Sequence, residues 1–229
     1  MKVEIWSDVM CPFCYIGKRR FEGALAKFEH KDEIEVVWKS FQLQPDLKTD
    51  TSKSTLEHLA QSKGWSLDYT KQVTSNVVAM ANDVGLAYNF DKAIVANSFD
   101  AHRLSHYAKS KGKGDAMEEQ LFKAYFIDGK NTADHQTLTA LATAIGLDPK
   151  EVVQVLSTDA YAKDVQQDIY ESQQIGVNGV PFFVLNNKYA ISGAQAPETF
   201  LGALQKAWSE IPQTDTLEGG VCTPDGNCD

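Results

Sequence analysis

Cys11-Pro12-Phe13-Cys14 stands between an extended apolar run, Val3-Glu4-Ile5-Trp6, and a stretch whose apolar residues recur at helical spacing. Two thiols so spaced either close a small disulfide or hold a metal. The order strand, C-x-x-C, helix favours the disulfide, because it puts Cys11 at a helix N-terminus, where unpaired N–H groups and the helix dipole favour a thiolate. A thiolate is the form that attacks a disulfide, and Cys14, one turn further in, is placed to resolve the mixed disulfide.

Residues 2 to 7 read as a strand, and Asp8-Val9-Met10 as a short approach to the motif. From Pro12, suited to a first helical position, Phe21, Leu25 and Phe28 mark an apolar stripe that predicts a helix ending near His30. Ile34 to Phe41 is a second strand, so the first forty residues form a β-α-β unit with parallel strands. After Gln44-Pro45 the chain reads as helical almost throughout: Leu56 to Ala60, Tyr69 to Met80, Phe99 to Ala108, Met117 to Phe126, Leu138 to Ile145, a helix opened by Asp148-Pro149, and one from about Asp159 to Gln174. Gly64, Gly85, Gly112 and Gly146 punctuate the series. Phe182 to Leu185 and Tyr189 to Ile191, joined at Asn186-Asn187, predict a β-hairpin, and Pro197 to Trp208 a last helix. The fold class is therefore α/β: a thioredoxin-like core of β-α-β plus β-β-α, residues 1–45 and 176–211, holding an all-helical insertion, 46–175, and followed by a short flexible tail, 212–229.

Acidic residues outnumber basic ones, 31 against 22, so the surface repels phosphate backbones and nucleic acid is not an expected partner. The longest apolar patch, Val180 to Leu185, falls far short of the roughly 20 residues of a membrane helix. Met1-Lys2-Val3-Glu4 runs straight into the first strand and leaves no room for a secretory signal, which points to the cytoplasm. In a reducing compartment the four cysteines read as catalytic or metal-binding rather than as structural staples. His102 and His106, four apart, share a helix face, but no acidic or cysteine partner follows at a ligand spacing; a structural or surface role is expected and no metal. His30, His58 and His135 read as solvated, at helix ends or on polar faces. Asp8 has two readings, a turn or cap residue and a carboxylate that raises the neighbouring thiol pKa or relays a proton to Cys14.

The chain resembles the DsbA-like family, and within it the cytoplasmic FrnE-type thiol-disulfide oxidoreductases. The residues that carry the likeness are Ser7 to Gly17, Asn97 to Leu104, Leu121 to Phe126, Gly176 to Phe183 and Ile191 to Gln195. The resemblance implies that Cys11 is the exposed nucleophile, Cys14 the shielded resolving thiol and Pro181 a cis-proline facing them. A cis bond here would present the N–H and C=O of Val180 to an extended substrate, which could add to them like a strand. Pro12, Phe13, Val180 and Pro181 are then substrate-contacting, and the resemblance brings Asn97, His102 and Arg103 to the same cleft, with Arg103 favouring a thiolate or a glutathione carboxylate. Pro12-Phe13 lacks the histidine that in strongly oxidising relatives stabilises the reduced thiolate, so a milder potential, leaning to reduction or isomerisation, is expected. The substrates are protein or peptide thiols and disulfides, glutathione is a candidate redox partner, and no cofactor is called for. The rival is a glutathione-dependent isomerase or transferase like the 2-hydroxychromene-2-carboxylate isomerases, in which a serine typically replaces the first cysteine. A zinc-stabilised or peptide-binding module without turnover is a third reading.

Cys222 and Cys228 carry three readings: a redox pair that exchanges with Cys11 and Cys14, half of a four-cysteine zinc site, or an exposed pair with no role. The first is geometrically open, because a tether of a dozen residues reaches about 20 Å and makes the exchange intramolecular.

Overall fold

The computed structural model describes residues 1–211. The tail expectations, including those on Cys222 and Cys228, lie outside the described residues.

Strand β1 (Lys2–Ser7) runs into the helix α1 (Pro12–Leu25), and the chain returns as β2 (Glu35–Ser40), parallel to β1. The expected helix to His30 stops at Leu25, because Lys27 and Phe28 donate to Ala24 and Leu25 three residues back, in turns rather than in the helical ladder. Phe28 still reaches the core, packed edge-on against Trp208.

The insertion departs from the all-helical expectation at its start. A short strand β3 (Asp50–Ser54) leads into α2 (Thr55–Lys63) and α3 (Leu67–Asn82), and β3 pairs antiparallel with the two-residue β4 (Ile94–Val95). Helix α2 begins at a reciprocal capping box between Ser54 and Glu57 and stops at Gly64, whose φ of 68° suits a residue without a Cβ. Helices α4 (Phe99–Ser110), α5 (Gly114–Phe126), α6 (His135–Ala144), α7 (Pro149–Leu156) and α8 (Ala162–Gln174) complete the block, α7 capped by Asp148 as its Asp-Pro start predicts. The chain then re-enters the sheet as β5 (Phe182–Leu185) and β6 (Tyr189–Ser192), turns at Asn186 and Asn187, both at positive φ, and ends in α9 (Pro197–Ser209).

The main sheet has the order β2-β1-β5-β6, with β5 antiparallel to both β1 and β6. Central β1 is buried along nearly its whole length: Ile5 is fully covered and lies between Trp38 and Phe183 in register. Phe21 of α1, Phe183 of β5 and Phe200 of α9 pack ring to ring beneath the sheet, with centroids 4.6 to 5.8 Å apart. Of the histidines expected in solvent, His30 stacks on Trp208, His58 meets Gln44 and His135 meets Asp100.

Asp168 of α8 ties the helical block to the sheet. Its carboxylate accepts the Ser40 N–H at 2.9 Å and pairs with Lys39 Nζ at 2.9 Å and His106 Nε2 at 3.0 Å, while its carbonyl accepts the Trp6 indole N–H. Burial works against the charged form of this 3% exposed side chain, yet His106, the Ser40 amide and Lys39 together hold it below the usual carboxylate range. A depressed carboxyl pKa stabilises the fold above the unfolded-state value of about 4, and that contribution is lost as pH falls through the folded pKa. Asp168→Asn is therefore expected to cost about 3 kcal/mol of unfolding free energy at neutral pH and to flatten the fall of stability on the acid side, measured by urea unfolding across pH. Unchanged neutral-pH stability would contradict this role.

Candidate active site

Cys11 is the N-cap of α1, with extended backbone at φ −88° and ψ 112°, and Pro12 takes the first helical position. A turn closed by the Cys11 N–H donating to the Asp8 carbonyl at 2.9 Å delivers the motif from the end of β1. Both cysteines are free thiols. Cys11 is 4% exposed and Cys14 fully buried, so the nucleophile expected to be exposed is itself largely covered: its Sγ donates to the Val180 carbonyl at 3.4 Å, and that segment lies over it. The Val180–Pro181 peptide is cis, as the resemblance implies, and the Pro181 carbonyl accepts the Gly193 N–H at 2.8 Å.

Burial pushes the Cys14 thiol well above the ordinary thiol range, and Cys11 adds to this through a hydrogen bond and its charge. The Ser7 hydroxyl and the Asp8 N–H act in the opposite direction, and burial outweighs them. The two thiols of one motif thus stand in unequal surroundings: Cys11 keeps a small exposed fraction and meets the Val180 carbonyl, whereas Cys14, inside α1, is fully enclosed. Phe13, 39% exposed, and Leu43, 44% exposed, are apolar side chains left uncovered, one between the cysteines and the other on the segment that hydrogen-bonds to Asp8. Pro12 is half-buried.

The carboxylate of Asp8, fully buried, accepts the Leu43 N–H at 2.7 Å and the Met10 N–H at 3.4 Å and lies 3.4 Å from His102 Nε2. The turn role of Asp8 is thus directly supported by geometry. His102, 2% exposed, packs behind the motif rather than in an open cleft. Burial alone would push its pKa down, but the Asp8 hydrogen bond and charge outweigh this and raise it. His106, one turn on, meets Ser40 and Asp168, and among the described residues no group of three or more His, Cys, Asp or Glu side chains comes together as a metal cage.

Arg103 and Asn97, expected at the cleft, both direct their side-chain donors at backbone carbonyls. The Arg103 guanidinium donates to the carbonyls of Val155, Thr158 and Ala160 and pairs with Asp100, so it ties α4 to the end of α7 and to the turn before α8. Asn97 donates to the Pro45 and Leu47 carbonyls and accepts the Phe99 N–H at 2.8 Å, which fixes the 45–47 loop against the start of α4. The carbonyls that take up the Arg103 guanidinium lie at and just after the end of α7, which residue order does not reveal.

Two residues at the site carried no assignment in the sequence. Gly17 faces Pro181 across α1: a Cβ built on it would lie 2.9 Å from Pro181 Cγ, so the proline can approach the helix only where the side chain is missing. Tyr88 comes from the segment after α3 and donates to the Pro12 carbonyl at 2.7 Å. Its only sequence signal is an aromatic pair, Tyr88 and Phe90, in a stretch without periodicity.

A family model for the DSBA-like thioredoxin domain matches residues 2–205. The crystal structure of a probable DsbA oxidoreductase from Streptomyces coelicolor is 42% identical and superposes with a TM-score of 0.88, covering 100% of this chain and 98% of that one. The uncharacterized protein YwbO of Bacillus subtilis is 30% identical over 205 residues, covering 88% of this chain and 94% of its own. The cytosolic disulfide reductase DsbM of Pseudomonas aeruginosa shares the fold at 15% identity, with a TM-score of 0.66 over 91% of this chain and 99% of that one. Among the described residues no helix is long and apolar enough to cross a membrane.

Gly17→Ala is expected to improve helix propensity by about 1 kcal/mol but to lose more, roughly 1 to 3 kcal/mol, by displacing Pro181. The stability read by urea unfolding and the rate of thiol–disulfide exchange should both fall short of wild type. A variant of full stability and activity would show that Pro181 does not depend on this close approach.

Proposed function

Because the chain belongs to the DsbA-like thioredoxin-domain family, we propose that it is a dithiol–disulfide oxidoreductase with Cys11 as the nucleophile and Cys14 as the resolving thiol. The observation that supports this most is the Cys11 thiol at the N-cap of α1, in contact with the Val180 carbonyl and backed by a fully buried, hard-to-ionise Cys14. In the reductive direction the Cys11 thiolate attacks a substrate disulfide, forms a Cys11–substrate bond and expels one substrate sulfur as a thiolate, which takes up a proton. Cys14 then loses its proton and attacks Cys11 Sγ, releasing the second substrate thiolate and leaving the Cys11–Cys14 disulfide; two external thiols restore the dithiol. The reverse sequence oxidises a substrate dithiol.

Reduction or isomerisation is the favoured direction, since Pro12-Phe13 offers no side chain to stabilise the Cys11 thiolate. A cytoplasmic location would supply the thiol reductant that this direction needs. Extended protein or peptide substrates would lie across Phe13, Pro12 and Pro181, with the Val180 backbone taking the place of a neighbouring strand. Glutathione is the proposed external thiol; DsbM, which shares the fold, has also been solved with glutathione.

Cys11→Ser is expected to reduce insulin-disulfide turnover to the uncatalysed background, while Cys14→Ser should accumulate a mixed disulfide at Cys11 that mass mapping locates. Glutathione-dependent isomerase turnover that survives Cys14→Ser, without a mixed disulfide, would instead favour the glutathione-dependent isomerase.

A further inference from the structure

Tyr88 is buried at 7% exposure, and its ring is held on several sides: stacked on Phe126 with centroids 4.7 Å apart, lying 6.1 Å from the near-parallel Tyr15, and met edge-on by Phe90. So tight a setting leaves the hydroxyl little freedom of direction. That hydroxyl donates at 2.7 Å to the Pro12 carbonyl, inside the dipeptide between the two cysteines. Burial first, and the charges at Cys11 and Cys14 next, push the phenol far above its ordinary pKa, so it remains a donor wherever the thiols titrate.

The first turn of a helix is its least constrained part, because its N–H groups have no intrahelical acceptor. In a trans peptide plane the C=O and the next N–H point in opposite directions. Fixing the Pro12 carbonyl toward Tyr88 therefore fixes the Phe13 N–H in the opposite direction, back toward the N-cap where Cys11 sits. Phe13 is the second helical residue, and the N–H at this position is one that an N-cap side chain can accept. A negative charge on Cys11 Sγ would meet an amide already oriented toward it, because the helix holds this plane and Tyr88 adds a second donor to the same Pro12 oxygen, steadying and polarising the peptide.

We propose that Tyr88 is a positioning residue of the redox centre: by holding the Pro12–Phe13 peptide plane it aims the Phe13 amide at Cys11, stabilises the Cys11 thiolate and so sets the redox poise of the motif from within the inserted block. The proposal rests on Cys11 being the nucleophile and goes beyond it in naming a residue of the insertion that tunes it. The dithiol form gains from Tyr88 and the disulfide does not, since only the dithiol carries a thiolate at Cys11.

The test is Tyr88→Phe, which removes the hydroxyl and keeps the ring in its stack, beside Tyr15→Phe, which removes a hydroxyl from the same stack that bonds Glu119 at 2.6 Å instead. Thiolate absorbance against pH and equilibration with glutathione buffers are read for both variants and the wild type. Loss of one hydrogen bond supporting a charge should shift the Cys11 titration upward, and the dithiol–disulfide equilibrium toward the disulfide, by about fivefold, or about 20 mV more reducing. Tyr15→Phe should leave both readouts in place. Tyr88→Phe with unchanged titration and equilibrium would overturn the proposal even if its melting temperature fell, because a purely structural role moves stability alone. A wild-type Cys11 that shows no thiolate transition and no reversible disulfide with Cys14 would instead remove the oxidoreductase reading itself.

Discussion

The Val180–Pro181 segment can lie over the first turns of α1 only because residue 17 has no side chain. With a Cβ there, Pro181 would stand 2.9 Å from it, and the loop would have to lift. From this approach follow the contact of Cys11 Sγ with the Val180 carbonyl, the near-complete cover of Cys11 and the neighbouring hydrogen bond from Gly193 to Pro181. The sheet and the helix are thus locked across Cys11 Sγ, so an extended backbone added there would meet a partner whose position is already fixed. Preorganisation of this kind lowers the ordering cost of binding.

The inserted helices support the centre from behind. His102 of α4 meets the Asp8 carboxylate, which gathers the turn before Cys11 and the amide of Leu43, and Tyr88 reaches the Pro12 carbonyl from the segment between α3 and β4. Asp168 of α8 does the equivalent at the sheet edge through Ser40, Lys39 and His106. A motif that is a few residues long in sequence therefore takes its setting from groups more than seventy positions away.

What the sequence could show was what local chemistry decides. The strand–C-x-x-C–helix order, the Asp148-Pro149 start, the glycine stop at Gly64 and the Asn186-Asn187 hairpin turn each depend on neighbours in the chain, and each is found in the structure. The β3–β4 ladder was not legible, because Asp50 to Ser54 is wholly polar and its partner is two residues long and forty positions away. The destination of Arg103 was hidden for the same reason: a guanidinium goes to whatever carbonyls packing leaves uncapped, and those belong to a later helix end. Tyr88 had no periodic signal at all, and Gly17 was visible as a residue but not as a gap into which a proline fits.

Packing makes two identical thiols chemically unequal. Native, fully reduced protein is alkylated with iodoacetamide across a pH series, and the label on each cysteine is mapped by mass spectrometry. Cys11 is expected to be modified at neutral pH while Cys14 stays unlabelled until pH passes well beyond the ordinary thiol range or the fold is opened with denaturant. Equal labelling of Cys11 and Cys14 in the native protein at neutral pH would contradict it.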